Sequence, residues 1–177
     1  MQVIRQSDYK VMPWKNGGGT TTEIYASPVG VGNFDWRVSI ATVAADGPFS
    51  LFNGFERHIM MLEGNGMRLS MAGLKSFDLQ PFEPFSFSGD IQVYGSLVDG
   101  AVRDFNLMVR REFGTGKLQV HTCLEPYRLV AIRGQLLVHV LNRESYLLET
   151  GENMAFAAGD RLVICEINPR LQRAPAV

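Results

Sequence analysis

At 177 residues, with 46% apolar and 20% charged side chains, the chain can bury one packed core, or two small ones fused together, and is too apolar for disorder. A formal charge of −1 with no block of like charges gives no electrostatic reason to bind nucleic acid or an anionic membrane. No run approaches the roughly 18 apolar residues of a membrane span, and the N-terminal segment MQVIRQSDYKVMPWK has no signal-peptide core, so a cytoplasmic location is expected. Cys123 and Cys165 fit neither CxxC nor a disulfide framework and read as reduced, buried thiols, with a bond between them left open.

The first distinctive stretch is Met12–Glu23, MPWKNGGGTTTE. A phosphate loop needs GxxxxGK[ST] ahead of a helix, so that backbone amides and the helix dipole meet the phosphate. Here Lys15 precedes the glycines and the β-branched run TTTEIYAS follows them as a strand, so nucleotide binding by a helix N-terminus is rejected. What remains is a backbone that approaches something closely, either a ligand or the neighbouring sheet.

Beyond Asp35 come short alternating or β-branched runs: DWRVSIATV, HIMMLEG, MRLSM, DIQVYGSLV, YRLVAIRG, QLLVHVLN and RLVICEI. Gly, Pro, Asn and Asp punctuate them, which predicts an all-β sandwich or barrel. Only LNRESYLLETGENMAF leaves room for a helical turn, and it also reads as strand and turn.

An internal register lies across these runs. Gly64 is followed 25 residues later by Gly89-Asp90, and Gly134 is followed 25 residues later by Gly159-Asp160. The two sets are offset by 70 residues, and Leu62 with Ile132, Met67 with Leu137 and Val93 with Val163 keep the same offset. Strand, Gly turn, strand, then Gly-Asp and strand is how a cupin β-barrel looks in sequence. Two such halves predict a bicupin, two cupin-like antiparallel β-barrels in one unit, with the first half over residues 1–110 and a more degenerate second half over 111–177. Strand exchange between the halves is left open.

Four stretches, PWKNGGGTTTEI, DWRVSIATVAADGPFSLFNGFERHIMMLEGNG, FSFSGD and DFNLMVRR, resemble the HutD/Ves family over roughly the first two thirds of the chain. The resemblance implies a small cytoplasmic bicupin. Members of the HutD type are tied to bacterial histidine utilisation, where they are thought to sense or buffer an intermediate such as N-formylglutamate or urocanate. Members of the Ves type are associated with stress responses. No reaction is firmly attached to the family.

The chemistry of single residues narrows this further. Metal cupins use two His, a Glu and a third His, but here His58, His121 and His139 include no HxH pair, and the third-His positions hold Gln92 and Leu162. No metal and no other cofactor is therefore expected. There is no GxSxG and no evident nucleophile set. A metal-free isomerase or hydrolase would have to use His58 with Glu63 or Asp90. Arg57 is the better candidate. If it faces inward, period-two alternation puts Ile59 and Met61 beside it and His58, Met60 and Leu62 on the other face. A guanidinium in an apolar interior needs a partner, and its fork suits a carboxylate. The alternative is a structural pair with Glu23, Glu56 or Glu63. Arg37 reads as a rim salt bridge. Asn106, sharing a face with Met108, either offers an amide to the ligand or ties down a turn near Asp99-Gly100. Trp14, Trp36, Phe49 and Phe52 read as core, with one of them available as a pocket wall.

The expected site for a small carboxylate is thus Arg57 as anchor, Asn106 for orientation, and Lys15, Asn16, Gly17 and Gly18 closing the pocket, with Trp14, His58 and Met108 next in line. A metal-free enzyme and a ligand-free interaction scaffold are the competing readings. Spare sheet edges leave room for a homodimer, which no segment of the sequence demonstrates.

Overall fold

Alternation of apolar and polar side chains gives strands almost from end to end. The structure, a computed structural model, describes residues 1–15, 17–30, 33–73 and 75–170. Its strands in chain order are β1 (Gln2–Ile4), β2 (Lys10–Pro13), β3 (Gly19–Ser27), β4 (Trp36–Val43), β5 (Gly47–Pro48), β6 (Phe55–Glu63), β7 (Met67–Met71), β8 (Phe77–Leu79) and β9 (Phe85–Ser88). They continue as β10 (Val93–Leu97), β11 (Val102–Arg110), β12 (Gly114–Thr122), β13 (Tyr127–Val130), β14 (Gln135–Val140), β15 (Ser145–Glu149), β16 (Asn153–Phe156) and β17 (Arg161–Pro169). A single 3-10 turn, Gln6–Asp8, is the helical content among the described residues, and no helix is long and apolar enough to cross a membrane. LNRESYLLETGENMAF resolves into β15, a turn and β16.

The strands form four sheets, in the orders β5-β10-β7-β8, β2-β3-β4-β11-β6-β9, β1-β15-β14-β17-β12 and β13-β16. Three apolar clusters show how they stack. Met67, Leu69, Leu79 and Val93 pack against Ala41, Ile59 and Met61, joining the four- and six-stranded sheets. Trp36, Met60, Phe105 and Leu107 on the other face of the six-stranded sheet meet Leu118, Leu137, Val163 and Cys165. Leu136, Val138, Leu148 and Ile164 then meet Ala131 and Phe156 below the two-stranded sheet. The result is four layers with both large sheets inside.

The expected closed barrels are not what the strands form, since each sheet is open and faces its neighbour through side chains. Short edges that carry proline, such as β2 ending at Pro13 and β5 ending at Pro48, help to stop the ladders, because proline has no N–H to donate.

The repeat is visible in the hydrogen-bond register itself. A shift of 70 would carry the β6·β9 pair Glu56 and Ser88 to residues 126 and 158, which sets Tyr127 opposite Ala157; the observed partner is Phe156, one residue away. The same shift of Val93 and Met71 sets Val163 opposite Leu141, and the observed partner is His139, two residues away. Yet the pair β6·β9 lies in an inner sheet, whereas its counterpart β13·β16 is an outer layer. Met67 and Leu137 are both fully buried, as the offset implies, but Leu62 is buried while Ile132 is 86% exposed. β6 continues through Leu62 inside the molecule, and β13 has already ended at Val130.

The N-terminal strand β1 pairs with β15 and so joins a sheet built otherwise from residues 114–169. β12, GTGKLQVHT, is the strand that the pattern concealed. It is the outer member of its sheet, and Leu118 is its one buried large apolar side chain. Cys165 and Cys123 lie in clusters on opposite sides of the five-stranded sheet, and both are free.

Candidate functional site

β4, β6 and β11 lie inside the molecule and read as near-continuous apolar runs, as strands covered on both faces do. Polar residues inside such strands are the informative ones. On the face turned towards the four-stranded sheet they form three rungs across β4, β11 and β6. The first is Arg37–Met108–Arg57, the second Ser39–Asn106–Ile59, and the third Ala41–Asp104–Met61. The opposite face carries Leu107 beside His58 and Phe105 beside Met60.

These rungs floor a cavity of about 510 Å³, whose walls include Pro48, Phe49, Ser50, Phe52 and Pro13–Lys15. That volume falls in the ~300–1,000 Å³ range of small-molecule sites. Arg57 is 7% exposed. Its Nη1 donates to Ser50 O (3.3 Å) and its Nη2 to Asn106 Oδ1 (3.3 Å), while Nε has no partner. The rings of Phe87, Phe49 and Phe52 surround the guanidinium at 5.0, 5.4 and 5.4 Å. Arg37 lies over Phe34 (4.8 Å) and Phe52 (5.4 Å), and its Nε is likewise buried without a partner. Asn106 Nδ2 donates to Asp104 Oδ1, and Asp104 Oδ2 is left unpartnered.

Burial governs the protonation of this group. It lowers the Arg57 guanidinium to about 10, with Asp104 opposing the shift and Arg37 adding to it. It raises the Asp104 carboxyl to about 7 against the amide of Asn106 and the charge of Arg57. It lowers Arg37 as well, against Glu23. Two guanidiniums thus share one acid, and the wall is positive in either state of Asp104.

The loop that carries Phe49 and Phe52 is held from below. Phe52 N donates to Gly89 O (2.9 Å), and a Cβ on Gly89 would stand 2.3 Å from Phe52 O. Asp90 accepts from Gly54 N (2.7 Å) and Ser88 Oγ (2.9 Å) and pairs with Arg111. The Gly-Asp signature is therefore a structural clamp under the cavity.

Of the residues expected at a site, Arg57, Asn106, Met108, Lys15 and Trp14 border this one cavity. Asn16 lies outside the described residues. Gly17 and Gly18 do not border the cavity, although Gly18 O accepts from Ala44 N (2.9 Å) and so ties the turn to the end of β4. The close approach of the glycine run is made by Gly19, whose Cβ would lie 2.2 Å from Thr42 O and 3.0 Å from the Trp14 ring. It is an approach to the paired strand β4 of the same sheet. Trp14 Nε1 in turn donates to Thr21 Oγ1 (2.8 Å), which sets its ring at the cavity wall.

His58 lies on the other face, its Nδ1 2.6 Å from Ser86 Oγ and its Nε2 unpartnered. Glu63 pairs with Arg103 (2.6 Å) and Asp90 with Arg111, so the proposed acid–base pair is not assembled. None of Glu23, Glu56 and Glu63 pairs with Arg57, and Arg37 lines the cavity instead of a rim salt bridge. Among the described residues, no three His, Cys, Asp or Glu side chains come together as a metal site. Sequence reasoning missed Asp104, which shares the parity of Asn106 and Met108 and sits inside a strand buried on both faces. That combination was the available signal.

Fold and cavity together define an all-β protein of layered open sheets with a small-molecule-sized cavity walled by two arginines and a buried acid. The chain belongs to the HutD family, whose model matches residues 6–174. A relative from Pseudomonas putida, called an uncharacterized 21.2 kDa protein in the hutC 3' region, is 38% identical over 178 residues, covering 96% of this chain and 94% of its own. The structure of HutD from Pseudomonas fluorescens SBW25, in a formate condition, is 33% identical with a TM-score of 0.81, over 96% of this chain and 98% of that one. PA5104 from Pseudomonas aeruginosa PAO1, a protein of unknown function, is 31% identical with a TM-score of 0.72, over 94% and 98%.

Proposed function

We propose that the chain is a metal-independent binding protein that senses or sequesters a small carboxylate in the cytoplasm, in connection with histidine utilisation. N-formylglutamate and urocanate are the first ligands to test. The observation that carries the reading is the Arg57 guanidinium on the cavity wall, buried, ringed by aromatics and left with an unpartnered Nε. Buried polar groups are nearly always hydrogen-bonded, and a guanidinium without a full complement of acceptors suits an incoming carboxylate. Arg37 adds a second unpartnered donor, and Lys15 a further cation at the wall. Family membership and the hutC-region relative support the link to histidine utilisation.

Thermal-shift and calorimetric titration with both ligands tests this. The wild type is expected to gain stability with rising ligand, and Arg57→Ala to lose at least tenfold in affinity, because removing one partner of a buried charge contact costs roughly 2–5 kcal/mol. No response in the wild type, or an unchanged response in Arg57→Ala, sinks the proposal. The metal-free enzyme remains a second reading through one observation, since a cavity carboxyl held at about 7 has the basicity of a general base. Turnover of either acid by the purified protein, lost in Asp104→Asn, would favour it.

A further inference from the structure

We infer that Asp104 is the specificity-determining residue of this cavity: it selects small carboxylates that carry an N–H or O–H donor at the end away from the carboxylate, and discriminates against isosteres lacking that donor. The inference rests on the carboxylate-binding reading and names the ligand class that reading leaves open.

The rung geometry leads there. Asp104 is 1% exposed, and its rung neighbours Ala41 and Met61 have no polar side-chain atom. Its Oδ1 accepts from Asn106, and its Oδ2 has no partner in the protein. An ionised carboxylate is acceptor-only, so the missing partner is a donor. With apolar neighbours on both sides, the cavity that Asp104 borders is where that donor enters. Asn106 is the weaker candidate for selector, because its oxygen already accepts from Arg57 and its nitrogen already donates to Asp104, whereas Asp104 Oδ2 has no partner. It works as a relay that holds cation and acid apart and in register. The charged groups facing this wall are Arg57 on β6, Arg37 on β4 and Lys15 in the turn before β3. All are cations, so among the described residues Asp104 is the acid on it.

Spacing sets the size of the ligand. Successive side chains on one face of a strand stand about 7 Å apart. Since Arg57 reaches the Asn106 rung, a carboxylate on Arg57 lies roughly one rung from Asp104. A carboxylate joined by a few bonds to an amide, carbamoyl or ring N–H fits that span. A site built around a buried acceptor rejects a ligand without the donor strongly, because binding then leaves the acceptor unpaired.

The test compares ω-(N-methyl)amide acids with their ester isosteres, using N-methylsuccinamate, N-methylglutaramate and N-methyladipamate against the matching monomethyl esters, by calorimetry on the full chain. At pH 8 the wild type is expected to bind the best amide at least tenfold more tightly than its ester. Lowering the pH through 7 is expected to shrink that ratio, because a protonated Asp104 becomes a donor and no longer requires one from the ligand. In Asp104→Asn, checked for folding by its melting transition, the ratio is expected to collapse to within about threefold or to reverse. Equal wild-type affinities at pH 8, with binding still lost in Arg57→Ala, would overturn the selector role and leave carboxylate binding standing. So would a ratio that ignores pH. The pH series uses the wild type alone, so a misfolded variant does not rescue the inference. If no amide and no ester binds, the carboxylate reading itself fails.

Discussion

A guanidinium surrounded by three phenylalanine rings and an aspartate that accepts from an asparagine are expensive to bury, and each changes what the protein does with pH. Asp104 titrates at about 7 in the fold, whereas an aspartate in an unfolded chain ionises near ~4. Between those values the folded protein holds a proton that the unfolded chain has lost. Stability therefore falls as pH rises across that window, and the loss is complete above about 7. It amounts to a few kcal/mol at most, at about 1.4 kcal/mol per pKa unit. Asp104→Asn removes this loss. Without ligand, the variant is expected to melt higher than wild type at pH 8 and to lose that advantage at pH 4, as read by calorimetric melting. A variant less stable than wild type by the same margin at both values would show that Asp104 is not held near neutrality by burial. A residue that lowers stability at the pH of its work is what stability–function conflict at a site looks like.

At the scale of elements, parity made most of the cavity floor legible. Alternation along FERHIMMLE placed Arg57, Ile59 and Met61 on one face, and the same rule along DFNLMVRR placed Asn106 with Met108; both assignments agree with the two apolar clusters on either side of the sheet. Asp104 stands in the second of those strings at the same parity, but an aspartate between an arginine and a phenylalanine reads as a strand boundary unless the strand is known to be covered on both faces. Likewise β12 escaped because an edge strand with one large buried side chain carries little period-two signal. The glycine run shows the limit of reading local sequence: three glycines announce a close approach without saying to what. Gly19 makes that approach to β4, whereas Gly17 stands in open space with a φ of +72°. Gly19→Ala is expected to destabilise the protein by about 2 kcal/mol or more, since Thr42 O is backbone and cannot yield cheaply. Gly17→Ala is expected to cost roughly 1 kcal/mol of strain. Chemical denaturation of the two variants checks the order, and an equal or reversed order would place the constraint elsewhere in the turn.

For the whole molecule, the 70-residue register in the glycines has a counterpart in strand pairing, with slips of one residue in β13·β16 and two in β14·β17. What a register cannot carry is which sheet of each half faces its sibling. The pair β6·β9 ended inside the molecule and its counterpart β13·β16 outside, so equivalent sequence positions met different burial. That difference gives the first half a six-stranded sheet covered on both faces, which is the setting in which Arg57 and Asp104 are buried beside a cavity. The most direct measurement of the central claim is the Arg57 side-chain Nε–H resonance in a nitrogen-labelled sample titrated with N-formylglutamate, urocanate and formate. The expected result is a saturable downfield shift of that one signal with at least one of them, as a carboxylate oxygen takes up the unpartnered Nε. An Arg57 signal that stays fixed through all three titrations would contradict carboxylate binding at this site.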